Sequence, residues 1–366
     1  MYTLLTGAKI NMGDFLITDR CQKLLKAHLP DEEQFVLPHW EQLDSHLERI
    51  NSSKAIIIMG GPGFQPQFYP GVYKLASDLS RIKVPIVPMG LGWKGVPGDY
   101  RTLQGYRFSP VATDVLKRIS LETTFLGCRD YMTAEVLRRN GISNPLMTGC
   151  PVWYHLDSLG KPFSRPSAVN SIVVTPAQRP VYRDQSVALL KEITTLLPKA
   201  KKYCSFNRGI DQEHPLLSAG EKRNNRHIAD AANGLGYEVK DTSGGLENTE
   251  FYEDCDLHLG YRVHSHLHFI SRRMPSILLH EDGRGRGMSE ALNLLGVDAF
   301  APSRGVFRKL KPSDTAVEQV RLYLRAEMDS GFARFAGADR VIDAHYDVMC
   351  RFIQSLPGAP AARQER

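Results

Sequence analysis

Lys54-Ala55-Ile56-Ile57-Ile58-Met59-Gly60-Gly61-Pro62-Gly63 decides the fold class. An unbroken apolar run that closes in a glycine-proline turn is the pattern of a parallel strand buried on both faces and running into a tight loop. The flanking sequence repeats that grammar. Upstream, Tyr2–Thr6 is a short β-prone run ending at Gly7 and Asn11-Met12-Gly13-Asp14, and Phe15, Ile17, Leu24 and Leu25 then recur near helical spacing as far as His28. Downstream, Val72–Arg81 is expected as a helix and Val84–Met89 as a strand ending in Gly90-Leu91-Gly92. Ser109–Ser120 reads as a helix, and Thr124–Cys128 as a strand entering Arg129-Asp130 and a helix that stops at Asn140-Gly141. Strands alternating with helices imply a parallel sheet with crossover helices.

Ser158–Asn170 carries Gly160, Pro162, Ser164, Pro166 and Ser167, the composition of a linker. A second alternating series follows it. Strands are expected at Ser171–Thr175, Lys201–Phe206, Tyr237–Val239, Asp256–Arg262 and Pro275–His280. Helices are expected at Asp184–Leu197, Arg226–Leu235, His264–Arg272, Val317–Met328 and Val341–Ser355. The reading is therefore α/β, with domains at 1–157 and 171–355, a linker at 158–170 and a mobile Pro/Ala-rich tail at 356–366. Ligands of such sheets bind beyond the carboxyl ends of the strands, which makes the interdomain cleft the expected active site.

Composition narrows the classes. The chain has 366 residues, 46 Lys plus Arg against 40 Asp plus Glu, and a formal charge of +6. That length suits about two domains at roughly 150 residues each. The 6 cysteines are too sparse and too widely spaced for a disulfide scaffold or a zinc ribbon, and fit reduced thiols in a cytoplasm. No stretch reaches the roughly 20 apolar residues of a membrane span. Met1–Asp14 lacks the pattern of a secretory signal. A modest positive charge without a dense Lys/Arg block suits anionic small molecules, not nucleic acid. The expected location is cytoplasmic, with at most peripheral contact at the inner face of a membrane.

The residues that can carry chemistry sit at strand ends. Asn11 to Asp14 opens a helix whose amides favour anions; Asp14 either takes a substrate hydroxyl or is a simple helix cap. Gly60 and Gly61 allow close approach of a ligand or serve a tight turn. They match neither a dinucleotide nor a Walker loop. Gly92, Trp93 and Lys94 can hold a sugar face and an anion, or be a packed Trp beside a solvated Lys. Arg129-Asp130 can aim a guanidinium at a phosphate or brace a helix start. Gly260-Tyr261-Arg262-Val263-His264 is the sharpest signal: Arg262 can clamp an anion and His264 can move a proton near neutral pH. The alternating His264, His266 and His268 would suit a metal on a strand. The apolar residues between them favour a helix, so no metal is expected. Arg284 and Arg286, in a glycine-rich loop after His280, can close over an anion or lie in a flexible polar segment.

In order and spacing these motifs resemble the polysaccharide pyruvyl transferase family, over about Gly7 to Gly296. The matching pieces are Asn11-Met12-Gly13-Asp14, Gly60-Gly61, Gly90-Leu91-Gly92, Arg129-Asp130, the segment from Asp256 to Arg262-Val263-His264, and Pro275. Two departures stand out. Cys150 precedes Pro151 where the family often has Asp, and Arg284 or Arg286 stands where it usually has Lys. The resemblance implies two Rossmann-like domains facing a cleft in the manner of GT-B glycosyltransferases, with the acceptor on the N-terminal side and the donor on the C-terminal side. It implies transfer of a pyruvyl group from phosphoenolpyruvate to a sugar of a bacterial surface glycan, or to its lipid-linked or nucleotide-linked precursor, forming a ketal without a cofactor. It makes Arg262 and His264 the donor-site pair and Arg129 a second anion contact. The competing readings are a sugar-nucleotide glycosyltransferase of the same fold and a non-catalytic scaffold in glycan assembly.

Overall fold

A computed structural model describes residues 1–210, 217–301 and 310–360. The chain forms two compact units. Unit 1 comprises Met1–Ala8, Ile17–Asp157 and Ile342–Arg366; unit 2 comprises Lys9–Leu16 and Ser158–Val341. Two stretches thus lie across the break that the linker suggests, and local bonding explains both. The Met12 amide donates to Asn207 O at 2.9 Å and the Gly244 amide to Ile10 O at 2.9 Å, so residues 9–16 are laced into unit 2. In unit 1, the Tyr154 hydroxyl donates to His345 O at 3.0 Å and the Tyr2 hydroxyl to Pro357 O at 2.9 Å. The start of the tail is therefore held by unit 1, and its last residues, 361–366, lie outside the described residues.

Unit 1 contains strands β1 (Tyr2–Thr6), β2 (Gln34–Pro38), β3 (Ile56–Met59) and β4 (Ile86–Met89), paired in parallel in the order β2-β1-β3-β4. A second parallel pair joins β5 (Leu126–Cys128) to β6 (Pro145–Met147). The helices are α1 (Met12–His28), whose first turn belongs to unit 2, α2 (Leu47–Asn51), α3 (Tyr100–Gly105), α4 (Pro110–Glu122) and α5 (Tyr131–Arg139). Every residue of β3 is buried, as its apolar run requires. Ser109 caps α4, with Pro110 in the first turn, and Asp130 caps α5. The helix expected over Val72–Arg81 is absent. Leu75 has a φ of 46°, outside the helical range, and only a short 3-10 turn forms at Leu79–Arg81, capped by Asp78.

Unit 2 contains β7 (Ser171–Thr175), β8 (Lys201–Phe206), β9 (Glu238–Asp241), β10 (Leu257–Gly260), β11 (Ser276–His280) and β12 (Gly296–Asp298). They form one six-stranded parallel sheet ordered β12-β11-β10-β7-β8-β9. The helices are α6 (Arg183–Leu196), α7 (Ala219–Gly234), α8 (Val263–Ser271), α9 (Gly283–Ala291) and α10 (Ala316–Asp329); α11 (Ala338–Gln354) starts in unit 2 and from Ile342 onward belongs to unit 1. This is the doubly wound order, in which the chain runs outward from β7 to one side and from β10 to the other. In sheets of this order ligands bind beyond the carboxyl ends of the two strands where the winding reverses. The geometry of unit 2 thus nominates the ends of β7 and β10 before any side chain is considered.

Strand β12 adds to the five expected, and two helices of unit 2 also differ from expectation. The glycine-rich segment after His280 is a helix, α9, and not a loop: Asp282 caps it by accepting from the Arg284 amide at 3.1 Å. α7 begins seven residues earlier than expected, at Ala219, because Ser218 and Glu221 form a reciprocal capping box. All six cysteines are free thiols. Among the described residues no helix is long and apolar enough to cross a membrane.

Candidate active site

The segments that leave the carboxyl ends of β7, β8, β10 and β11 supply one cluster of polar side chains. Gln178 follows β7, Asn207 and Arg208 follow β8, Arg262 and His264 follow β10, and Glu281, Asp282 and Arg284 follow β11. The first turn of α1 joins them through the bond from the Met12 amide to Asn207 O.

That turn places Gly13 against His264. A Cβ at Gly13 would overlap the imidazole, so only glycine lets the backbone come so close. The helix starts at Met12, before the expected Phe15, so Asp14 sits inside the first turn and is not its cap. Its carboxylate accepts from Asn11 Nδ2 at 3.0 Å. Burial pushes the Asp14 pKa up to about 6, although Asn11, Arg208 and Arg284 all favour the charged form.

Arg262 is half-buried at the mouth of α8. Its Nη1 donates to Gln178 Oε1 at 2.8 Å, and its Nε is buried without a partner among the described residues. Burial lowers its pKa to about 10; Glu281 and Glu221 oppose that shift, while Arg208 and Arg284 add to it. Arg208 and Arg284 therefore lie close enough to Arg262 to disfavour its charge, an arrangement that a dianionic ligand would relieve. Glu281 is buried beside them, and its Oε1 accepts the amides of Gln178 at 3.1 Å and Arg179 at 3.2 Å. Gln178 also donates to Glu221 Oε1 at 3.3 Å, and Arg208 faces the same oxygen at 3.8 Å.

The two candidate arginines of α9 part ways. Arg284 chelates Asp282 through Nε at 2.8 Å and Nη2 at 2.9 Å. Burial works against its charge, but Asp282, Glu281 and Asp14 outweigh that and hold its pKa above the usual range. Arg286 pairs with Asp298, which also meets His280 Nδ1 at 3.1 Å. Asp256, which leads β10, sits at the amino end of the sheet. Its Oδ2 accepts the Asn170 and Ser171 amides at 2.8 and 3.0 Å, a structural duty. His264, His266 and His268 lie on a helix, and His266 Nδ1 meets Ser276 Oγ at 2.7 Å. No group of three metal-ligating side chains exists among the described residues.

The remaining candidates belong to unit 1. Gly60 and Gly61 adopt φ values of 45° and 79°, so the turn after β3 itself requires glycine. Trp93 is fully buried, edge-on to Tyr106 at 5.3 Å, and presents no face to a sugar. Arg129 is 1% exposed, donates to Trp93 O at 2.9 Å and Asp130 Oδ2 at 3.3 Å, and lies where a Cβ at Gly92 would fall. The Arg129–Asp130 pair braces the start of α5. Lys94 is half-buried in the same loop.

Unit 2 thus brings together Asn11, Gly13, Asp14, Arg262, His264 and Arg284. Sequence reasoning missed Gln178, Arg208, Glu221 and Glu281. Arg208 and Glu281 stand within two residues of a strand's carboxyl end and Gln178 within three, so a search for polar residues at those ends would have found all three.

No curated protein matches the chain. Among solved structures, it is similar to a glycosyltransferase from Rickettsia africae (TM-score 0.54, 10% identity, 98% of this chain and 99% of that one). It is likewise similar to S. aureus MnaA determined with UDP (TM-score 0.54, 12% identity, 99% of both chains). A third likeness is to Anabaena HepE in complex with UDP and glucose (TM-score 0.52, 9% identity, 97% of both chains). At such identities these likenesses show the fold, a GT-B-like pairing of two Rossmann-like α/β domains. The model of the polysaccharide pyruvyl transferase family matches residues 11–270, a span that takes in the α1 turn, Arg208, Arg262 and His264, and the chain belongs to that family of transferases acting on polysaccharides.

Proposed function

We propose that the protein transfers the pyruvyl group of phosphoenolpyruvate to two hydroxyls of one sugar, in a glycan or its lipid- or nucleotide-linked precursor, forming a ketal and releasing phosphate. The observation that carries this reading is that Arg208 and Arg284 act on both Arg262 and Asp14 at one end of a single parallel sheet. Phosphoenolpyruvate bears a carboxylate and a phosphate, and guanidinium forks match both groups.

The reaction needs a proton delivered to the donor methylene carbon. The C=C π pair takes that proton, and the adjacent carbon becomes an oxocarbenium-like centre bearing phosphate. A sugar hydroxyl adds to this centre and loses its proton. A second hydroxyl then displaces phosphate, which leaves with the bonding pair and takes up the second proton. His264 serves as the acid or as a phosphate ligand. Asp14, with a pKa near 6, is suited to carry a proton in either direction near neutrality. Arg262 and Arg284 stabilise the charge on the departing phosphate. Arg129, the second anion contact that the family resemblance implies, is engaged by Asp130 and Trp93 within unit 1. No step calls for a metal or an organic cofactor. The proposed setting is cytoplasmic, where phosphoenolpyruvate is made.

The test is thermal stability with phosphoenolpyruvate against UDP-, GDP- and CMP-sugars, because a ligand bound only to the folded state raises the midpoint. A rise with phosphoenolpyruvate alone is expected. A rise only with a sugar nucleotide would replace this reading with glycosyl transfer.

A further inference from the structure

Beneath the Arg262–His264 turn lies a line of buried polar groups that the chemistry above does not use. Thr175, His258, His266 and Ser276 are each at most 1% exposed. Thr175 ends β7, His258 lies in β10, Ser276 opens β11 and His266 lies in α8, so the line crosses the winding reversal of the sheet. The Arg262 amide donates to Thr175 Oγ1 at 3.3 Å. Thr175 Oγ1 meets His258 Nε2 at 2.8 Å. Ser276 Oγ lies 2.7 Å from both His258 Nδ1 and His266 Nδ1.

Burial holds both imidazoles neutral: the His258 pKa lies well below its usual value and that of His266 falls to about 3. Each ring therefore carries one proton, and the proton order can be worked out from who must donate. Ser276 has a single hydroxyl proton between two Nδ1 atoms; if both rings donated to its oxygen that proton would be left unmet, so the satisfied arrangement has one ring donating to it and the other accepting from it. Thr175 Oγ1 already accepts the Arg262 amide, and among the described residues the acceptor bonded to its own proton is His258 Nε2. His258 then carries its proton on Nδ1 and donates to Ser276, and Ser276 donates to His266 Nδ1. His266 is left with its proton on Nε2, which has no partner among the described residues. The reverse order would strand the Thr175 proton as well as His266 Nε2, two buried unmet groups instead of one.

We infer that Arg262 amide–Thr175–His258–Ser276–His266 is a one-way hydrogen-bond chain that sets the height and orientation of the Arg262–His264 turn, making Thr175 and His258 positioning residues for the anion-binding guanidinium. Gly260 supports the geometry: its φ of 152° brings the backbone so close to Thr175 that any Cβ would overlap it. The turn is thus fixed by its amide from below and by Gln178 on the guanidinium. This inference rests on the pyruvyl-transfer reading only for the identity of the anion, not for the chain itself.

The experiment pairs two readouts. Nitrogen-15 NMR of histidine-labelled protein should show His258 as the Nδ1–H tautomer and His266 as the Nε2–H tautomer, both neutral at pH 6. The opposite tautomers, or a charged ring, would overturn the chain whatever the protein binds. The second readout compares Thr175→Val, which keeps shape and loses the hydroxyl, with Thr175→Ser, which keeps it. Thr175→Val should weaken phosphoenolpyruvate about tenfold, in KM more than in kcat, and Thr175→Ser should restore affinity to within about twofold. Equal affinity in both variants, with only thermal midpoints changed, would reduce the chain to a stability feature and overturn the positioning role. If the wild type ignores phosphoenolpyruvate while the tautomers are as stated, the donor assignment falls and the chain stands; the Val/Ser comparison is then read with inorganic phosphate as the anion.

Discussion

Gly13 and His264 are in direct backbone-to-ring contact, so closely that a single methyl group at residue 13 would occupy the space of the imidazole. The first turn of α1 therefore shapes the position of His264, although the two residues are remote in sequence. Gly13→Ala should displace the ring or the helix start, at a cost of about 1–3 kcal/mol. Activity should fall at least about a hundredfold, more than such a stability loss alone explains in a protein that remains folded at assay temperature. Assay of kcat together with the thermal midpoint checks it. Unchanged kcat in a folded variant would show that His264 does not need this position.

Arg284 and Arg286 are neighbours on one helix with different partners. Arg284 is coupled to Asp14 and Arg262, whereas Arg286 pairs with Asp298. Arg284→Met should therefore remove most of the stabilisation by phosphoenolpyruvate, and Arg286→Met should leave it within about twofold in affinity. Titration of both variants by calorimetry decides, and the reverse ranking would exchange their roles.

Asp14 makes stability depend on pH in a definite direction. Its pKa rises from 3.8 to about 6 on folding, so between those values the folded state binds more protons than the unfolded state. Stability contributed by this group is present below pH about 4 and is lost as pH rises through about 6. Asp14→Asn removes the titration, so its thermal midpoint relative to wild type should be higher at pH 7.5 than at pH 4.5. The opposite ordering would mean that Asp14 is held ionised, and would remove it as a proton carrier near neutrality.

Arg129 and Asp130 form a pair that is closed to solvent in unit 1. Arg129→Leu would leave the Asp130 carboxylate buried without its counter-charge, at a cost of about 3–5 kcal/mol. Chemical denaturation measures this. A loss below about 1 kcal/mol would show that the pair does not brace α5, and would return Arg129 to consideration as a ligand contact alone.

Much of this was legible in the sequence. Ser171–Thr175 and Lys201–Phe206 read as strands with the boundaries they have, because the apolar and β-prone runs there stop at Pro176 and at Asn207. Arg262 and His264 were visible because β10 ends in glycine and α8 begins at once. The strand order was not legible, since nothing local records which strands pair, and so neither was the winding reversal that gathers Gln178, Arg208 and Arg262. The membership of residues 9–16 in unit 2 was hidden for the same reason: it depends on the backbone bond from Met12 to Asn207, not on composition. The α9 segment misled because three glycines read as a loop, while the cap by Asp282 and the anchored side chains of Arg284 and Arg286 make it a helix.

The most direct test of the account is calorimetric binding of phosphoenolpyruvate to the wild-type protein and to Arg262→Ala, with circular dichroism confirming that both are folded. The account predicts saturable 1:1 binding by the wild type and at least a hundredfold weaker binding by the variant. Equal binding by the two proteins would contradict the placement of the donor at the Arg262–His264 turn, and no binding by a folded wild type would contradict the donor itself.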